Sequence, residues 1–295
     1  MANLKDIRKR IASVKSTQQI TQAMKMVSAS KLRRAQDAIT EARPYADRLE
    51  ALLGNLAGAS GDDDKPAHPL LERREHVRVA EVLVLGSDRG LCGGFNSNIQ
   101  RRAMRFVHEH SHDFDEIRIS MVGRKSNDFF KRRKGFTKGV FHDGLLADVR
   151  YPRAHDLAED LSARFLAGEL DAVYLLYNKF QSVISQEVTL LQLLPIEPPE
   201  EGATEEQQLG LDFLFEPGQD QVLTRLVPAY LTTQVWRALL ESMASEQGAR
   251  MSAMDSATRN AGDMIDRLTL IANRTRQAAI TKELMEIVSG AEALK

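Results

Sequence analysis

Gly86-Ser-Asp-Arg-Gly-Leu-Cys-Gly-Gly94 is the segment whose residue types come nearest to a chemical site. It follows the apolar run Val79–Leu85 and precedes a helical pattern over Asn96–His108, the place where helix N-terminal N–H groups hold phosphate in nucleotide enzymes. The residues do not complete such a site. No Gly-Lys-Ser/Thr ends the segment as a P-loop, no G-x-G-x-x-G spacing is present, and no cation follows Gly94 to neutralise phosphate. A tight, backbone-crowded turn that shapes a module surface is expected instead. His108-Glu-His-Ser-His112 has metal-ligating residue types, but side chains two apart on a helix diverge, and a helix must end here before the strand Ile117–Val122. It reads as a polar connector, with no metal assigned. Lys131–Lys134 is a basic run without interleaved aromatic residues for base stacking, so it reads as a solvated helix end. Cys92 has no activating partner in the sequence, and no Ser-His-Asp set or spaced carboxylate pair stands out. No catalytic residue and no cofactor are assigned.

The elements around these residues are more telling than the residues themselves. Residues 3–59 contain no glycine before Gly54 and one proline, Pro44, where a local bend is expected. Leu4, Ile7, Ile11, Val14, Leu32, Ala35, Ile39, Ala42, Ala46, Leu49, Leu53 and Leu56 share one seven-residue frame, the seam of a coiled coil roughly 85 Å long at 1.5 Å per residue. The frame positions between them are Gln18, Thr21, Lys25 and Ser28, while Ile20, Met24 and Val27 lie off the frame. The helix either turns its buried face there or meets something other than its coiled-coil mate. No proline follows Pro228, and helical spacing returns over Val235, Leu239, Met243, Met251, Met254, Ala261, Ile265, Leu268 and Ala272. That second helix extends roughly 100 Å by the same rise. Two such rods pair most economically with each other, antiparallel, and Gly248 and Gly262 allow close approach.

The middle of the chain has another rhythm. Val79–Leu85, Ile117–Val122 and Ala172–Tyr177 read as strands alternating with helices at Asn96–His108 and Ala154–Leu166, which implies a parallel α/β sheet. Phe180–Leu194 reads as a further extended run, and Asp62–Asp64 and Glu197–Gln207 as solvated linkers. The expected fold is α/β: a long antiparallel coiled coil of the N- and C-terminal helices with a Rossmann-like α/β module inserted between them. The boundaries are 1–59 for the first helix, 60–220 for the module with its acidic linkers and 221–295 for the second helix.

The chain has 295 residues, 43% of them hydrophobic, enough for a substantial core. No stretch approaches the roughly 20 apolar residues needed to cross a bilayer, and the N-terminus lacks a signal-peptide core. Its basic, amphipathic start has the character of a presequence, but Asp6 and the unbroken heptads argue for one continuous helix. A single cysteine fits a reducing compartment. Net charge is −1, yet residues 1–34 carry nine Lys or Arg against Asp6 alone, and such a segment favours an acidic partner.

With these elements in place, the chain resembles the gamma subunit of F-type ATP synthases along nearly its whole length. The resemblance rests on Ile11-Ala-Ser-Val-Lys-Ser-Thr-Gln18, Ala23-Met-Lys-Met-Val-Ser-Ala-Ser-Lys31, Ser87-Asp-Arg-Gly-Leu-Cys-Gly-Gly-Phe-Asn96, Ser245-Glu-Gln-Gly-Ala-Arg-Met251 and the closing Arg276–Gly290. It implies a non-catalytic rotor shaft that couples ion-driven rotation of the membrane c ring to the catalytic sites of an alpha/beta hexamer, with the epsilon subunit beside the module. Met24, Arg250, Arg276, Gln277, Thr281 and Glu283 then stand at motif positions associated with beta-subunit contact, and Arg33 and Arg34 suit an acidic loop of beta. Ile287, Val288, Ala291 and Leu294 belong to an apolar bearing tip, and Phe213, Phe215 and Glu216 to a c-ring contact. The resemblance further implies a peripheral subunit at the cytoplasmic face of a bacterial plasma membrane, reaching the membrane only through the c ring. The Asp62–Asp64 and Glu197–Gln207 linkers and the terminal Lys295 depart from the family pattern. Two other readings remain at the sequence level: a basic coiled-coil nucleic-acid binder, and a nucleotide-dependent enzyme built on the module.

Overall fold

The computed structural model describes residues 4–59, 68–74, 76–197 and 219–292. Asp62–Asp64, Phe213, Phe215, Glu216, Leu294 and all of the Glu197–Gln207 linker after its first residue lie outside the described residues, as does the side chain of Ala291.

Two long helices form as the periodicity predicts: α1 over Leu4–Ala59 and α5 over Gln219–Glu292. Pro44 and Pro228 both sit inside helices. Between them lie β1 (Val79–Leu85), α2 (Phe95–Glu109), β2 (Glu116–Val122), α3 (Arg124–Phe130), β3 (Thr137–His142), α4 (Tyr151–Leu166), β4 (Ala172–Phe180) and β5 (Gln186–Leu194). The sheet order is β3-β2-β1-β4-β5, with β1 parallel to β2 and β4, and β2 parallel to β3.

The sheet is mixed rather than wholly parallel, because β5 runs antiparallel to β4. The extended run expected over Phe180–Leu194 is in fact a hairpin: Ser182 N–H donates to Ser185 O at 2.9 Å and Ser185 N–H to Ser182 Oγ at 3.0 Å. So short a connection cannot make a crossover and must return the chain antiparallel. Strand β3 was not expected, since it is largely exposed and carries Lys138 and Gly139 where an inner strand would be apolar.

The chain divides into two compact units, residues 30–249 and residues 1–29 with 250–295. In the larger, alternate residues of the sheet feed two cores, as the period of a strand requires. Val82, Val84, Ile119 and Leu176 pack under α2 and α3 with Ile99, Phe106 and Phe130. Leu83, Leu85, Val173 and Leu175 pack under α4, and this second core extends to Leu49 and Leu53 of α1 and to Leu223, Leu231 and Val235 of α5. In the smaller unit α1 and α5 pair along a narrow seam in which Ile7, Thr21, Ser28, Met254 and Ala261 are buried.

Candidate functional site

The glycine-rich turn closes on itself. Ser87, fully buried, donates its N–H to Asn96 Oδ1 at 3.0 Å and its hydroxyl to Arg89 O at 2.7 Å, while Asn96 Nδ2 donates to Ser87 Oγ at 2.8 Å and to Cys92 Sγ at 3.2 Å. Phe95 N–H, at the start of α2, donates to Cys92 O at 3.2 Å. The N–H groups of Ser87 and Phe95 are thus used by the turn's own acceptors. A Cβ at Gly86 would lie 1.9 Å from Ser126 Oγ, so the crowding at this glycine comes from a side chain, while nothing lies within 4 Å of a Cβ at Gly93. Ala249 of α5 packs on Cys92 and Phe95 at the glycine-rich turn after β1.

Two buried ion pairs of the module escaped sequence reading. Glu81 lies within the apolar run of β1, wholly buried, where it pairs with Arg164 of α4 and accepts from Ser120 Oγ at 2.7 Å. Asp171, just before β4, pairs with Arg74 and accepts the N–H groups of Arg78 and Val79, both at 2.9 Å. Burial pushes the Asp171 carboxyl up, but the Val79 N–H, the Arg74 guanidinium and the Arg78 N–H together outweigh it and hold the group below the ordinary carboxylate range. In neither case does an alternation pattern announce a buried charge; only the partner, distant in sequence, explains it.

In the paired-helix unit the seven-residue frame continues through the polar stretch. Thr21 and Ser28 are buried, Thr21 Oγ1 meets Thr258 Oγ1 at 2.8 Å, and Lys25 Nζ donates to Asp255 Oδ1 at 2.6 Å. The Lys25 hydrogen bond holds the Asp255 carboxyl below its usual range. Ile20, Met26 and Val27 are exposed by 57%, 60% and 58%. The buried face therefore does not rotate toward Ile20 and Val27; Thr21 and Ser28 join Ile7, Met254 and Ala261 in the seam, while Ile20, Met26 and Val27 face outward. Gly262 faces Gln18, whose Nε2 would lie 3.3 Å from an added Cβ.

Further along α5, every residue from Arg276 to Gly290 is exposed. Arg276, Gln277, Thr281 and Glu283 lie on this stretch, as do Ile287 and Val288, and Ile280, Leu284 and Met285 are exposed beside them. Met24 is half-buried in the same unit, whereas Arg250 is buried at 8% exposure. Arg33 and Arg34 are exposed on the part of α1 that belongs to the larger unit. The histidine segment ends α2, with His110 tilted by 44° against Phe106 at a 4.5 Å centroid distance and its Nδ1 2.7 Å from Asp113 Oδ2. Among the described residues no group of His, Cys, Asp and Glu is placed to hold a metal, and no helix is long and apolar enough to cross a membrane. Arg132 and Lys134 are exposed, and Arg133 lies over the Phe129 ring at 3.4 Å.

Long helices at either end of the chain with an α/β module inserted between them in sequence are the architecture of a central-stalk type of subunit. The family model of ATP synthase matches residues 3–294. The ATP synthase gamma chain of Anaeromyxobacter sp. (strain Fw109-5) is 54% identical over the whole of both chains, and that of Geobacter metallireducens is 51% identical over the same span. A chain of the Tetrahymena thermophila mitochondrial ATP synthase central stalk and c ring is 27% identical, with a TM-score of 0.58, covering 81% of this chain and 99% of that one. A chain of the Euglena gracilis mitochondrial enzyme shares the fold at 20% identity, with a TM-score of 0.68 and coverage of 99% and 94%. The chain belongs to the ATP synthase gamma chain family. Its role is that of the central rotor, a non-catalytic subunit of the enzyme.

Proposed function

We propose that the paired helices 4–29 and 250–292 turn inside a hexamer of alternating alpha and beta subunits, while the α/β module stands with epsilon on the c ring. The observation that carries this reading is the exposure of every residue from Arg276 to Gly290, apolar Ile280, Leu284, Ile287 and Val288 included. A single helix with no tertiary packing is marginal in water, and its apolar side chains want cover. An apolar sleeve around the tip supplies that cover, with Ile287, Val288, Ala291 and Leu294 as the bearing.

In this reading Met24, Arg276, Gln277, Thr281 and Glu283 push on the beta subunits, joined by Arg33 and Arg34 toward an acidic loop. Arg250, buried within the chain, contributes by holding the helix from which such contacts are made. Polar and partly screened contacts suit a rotor, because they break at low cost at each step where a large apolar interface would not. Phe213, Phe215 and Glu216 face the c ring, and the working place is the cytoplasmic side of a bacterial plasma membrane. Each passing of the asymmetric shaft favours a different conformation, and so a different nucleotide affinity, in the beta subunit it meets.

The test is a reversible crosslink. A Gln277→Cys chain, assembled with alpha and beta subunits, is expected to form a disulfide with a cysteine placed in beta, to stop ATP hydrolysis when oxidised and to restore it on reduction. Hydrolysis continuing unchanged in the crosslinked complex would sink the proposal.

A further inference from the structure

Helix α5 meets the module at a seat on the border of the broad apolar core, to which Tyr177 belongs. Glu241, Ser245 and Gly248 are spaced four and three residues apart, so they share one face of the helix. Opposite them on β4 stand Tyr177, Asn178 and Phe180 in order. Glu241 is buried and lies against the Tyr177 phenol, which burial first and this carboxylate next push up to about 12. Ser245, fully buried, donates its hydroxyl to Asn178 O at 2.8 Å. At Gly248 the helix comes so close that an added Cβ would lie 3.2 Å from Phe180 Cε2 and 3.5 Å from Val183 Cα. Glycine weakens a helix interior relative to alanine, so its use here serves the approach rather than the helix.

We infer that this seat, with Ser245 and Gly248 of α5 against Asn178 and Phe180 of β4, is the torque joint that fixes the module to the shaft helix. Apolar contacts are non-directional and let surfaces slide at little cost. A buried hydrogen bond and an aromatic ring lodged in a notch are directional, so they oppose rotation of the helix about its own axis. The inference rests on the rotor reading above. It adds that Ser245 and Gly248 are positioning residues for coupling, reaching no nucleotide and no partner subunit.

The experiment uses the whole complex reconstituted in vesicles, with ion pumping and ATP hydrolysis measured together against an opposing gradient. Gly248→Val is expected to keep hydrolysis within about twofold of wild type while ions pumped per ATP fall severalfold. Phe180→Ala, which empties the notch without adding bulk, is expected to lower the ratio in the same direction. Ser245→Ala, nearly the same size and unable to disturb assembly by bulk, lowers the ratio in the same direction by less. The inference is overturned if Ser245→Ala and Phe180→Ala both pump at the wild-type ratio, or if hydrolysis and pumping fall together in these variants. A wild-type complex that fails to couple would instead count against the rotor reading itself.

Discussion

The two compact units of this chain differ in how many apolar side chains they bury and how many they leave exposed. In residues 30–249 both faces of the sheet are covered by apolar side chains, and buried carboxylates have arginine partners, Glu81 with Arg164, Asp171 with Arg74 and Glu241 with Arg237. Where α1 and α5 pair in residues 4–29 and 250–292, Thr21, Ser28 and the Lys25–Asp255 pair occupy the seam. Ile20, Met26, Val27, Met264, Leu270 and Ile271 are exposed instead. The difference teaches that one unit is built to hold itself together and the other to be held by what surrounds it.

The largest effect that tests this contrast is a pair of truncations. Leu53→Ala, at a fully buried position of the shared core, is expected to cost about 2–5 kcal/mol in denaturant unfolding, as other large core truncations do. Ile20→Ala should stay within about 0.5 kcal/mol, as exposed substitutions do. A comparable loss from both would erase the distinction. Asp171→Asn comes next. It leaves Arg74 without its carboxylate, and because that arginine is partly open to solvent the expected cost is about 2 kcal/mol, below that of a fully buried pair.

The pH dependence of Asp171 follows from its depressed folded pKa. Its contribution is fully present above the ordinary carboxylate value near 4 and is lost as pH falls through the lower folded value, so wild type and Asp171→Asn should converge in acid. Thr21→Val is smaller, under about 1 kcal/mol, because Thr258 Oγ1 still donates to Met254 O at 2.8 Å; Thr258→Val added to it should recover part of the loss. The least effect belongs to Lys25→Ala. Its pair is about one-third exposed, and any change in melting temperature should vanish at about 1 M salt, where the screening length is about 3 Å.

Much of this contrast was legible in the sequence because it is periodic. The seven-residue frame through Leu32, Ala35, Ala42, Ala46, Leu49 and Leu53 marks side chains that are all buried. The runs Val79–Leu85, Ile117–Val122 and Ala172–Tyr177 all fall within strands. What periodicity cannot carry is pairing between distant residues. Glu81 looks like an interruption of a strand until Arg164 is placed beside it, and Gly248 looks like a flaw in a helix until Phe180 fills the notch. Strand β3 was missed because an exposed edge has no apolar alternation, and β5 was given no direction because hairpin and crossover differ in the connection, not in the strand. The candidate contacts on Arg276–Gly290 were legible only through resemblance to the family, since a helix exposed all round shows no face of its own.

The central claim is that this chain turns inside the hexamer, and rotation itself can be watched. With the hexamer fixed to a surface and a probe attached to a Lys134→Cys chain on the exposed side of the module, adding ATP should drive unidirectional turning that stops when ATP is withdrawn. A probe that stays still while the same complexes hydrolyse ATP at full rate would contradict the account.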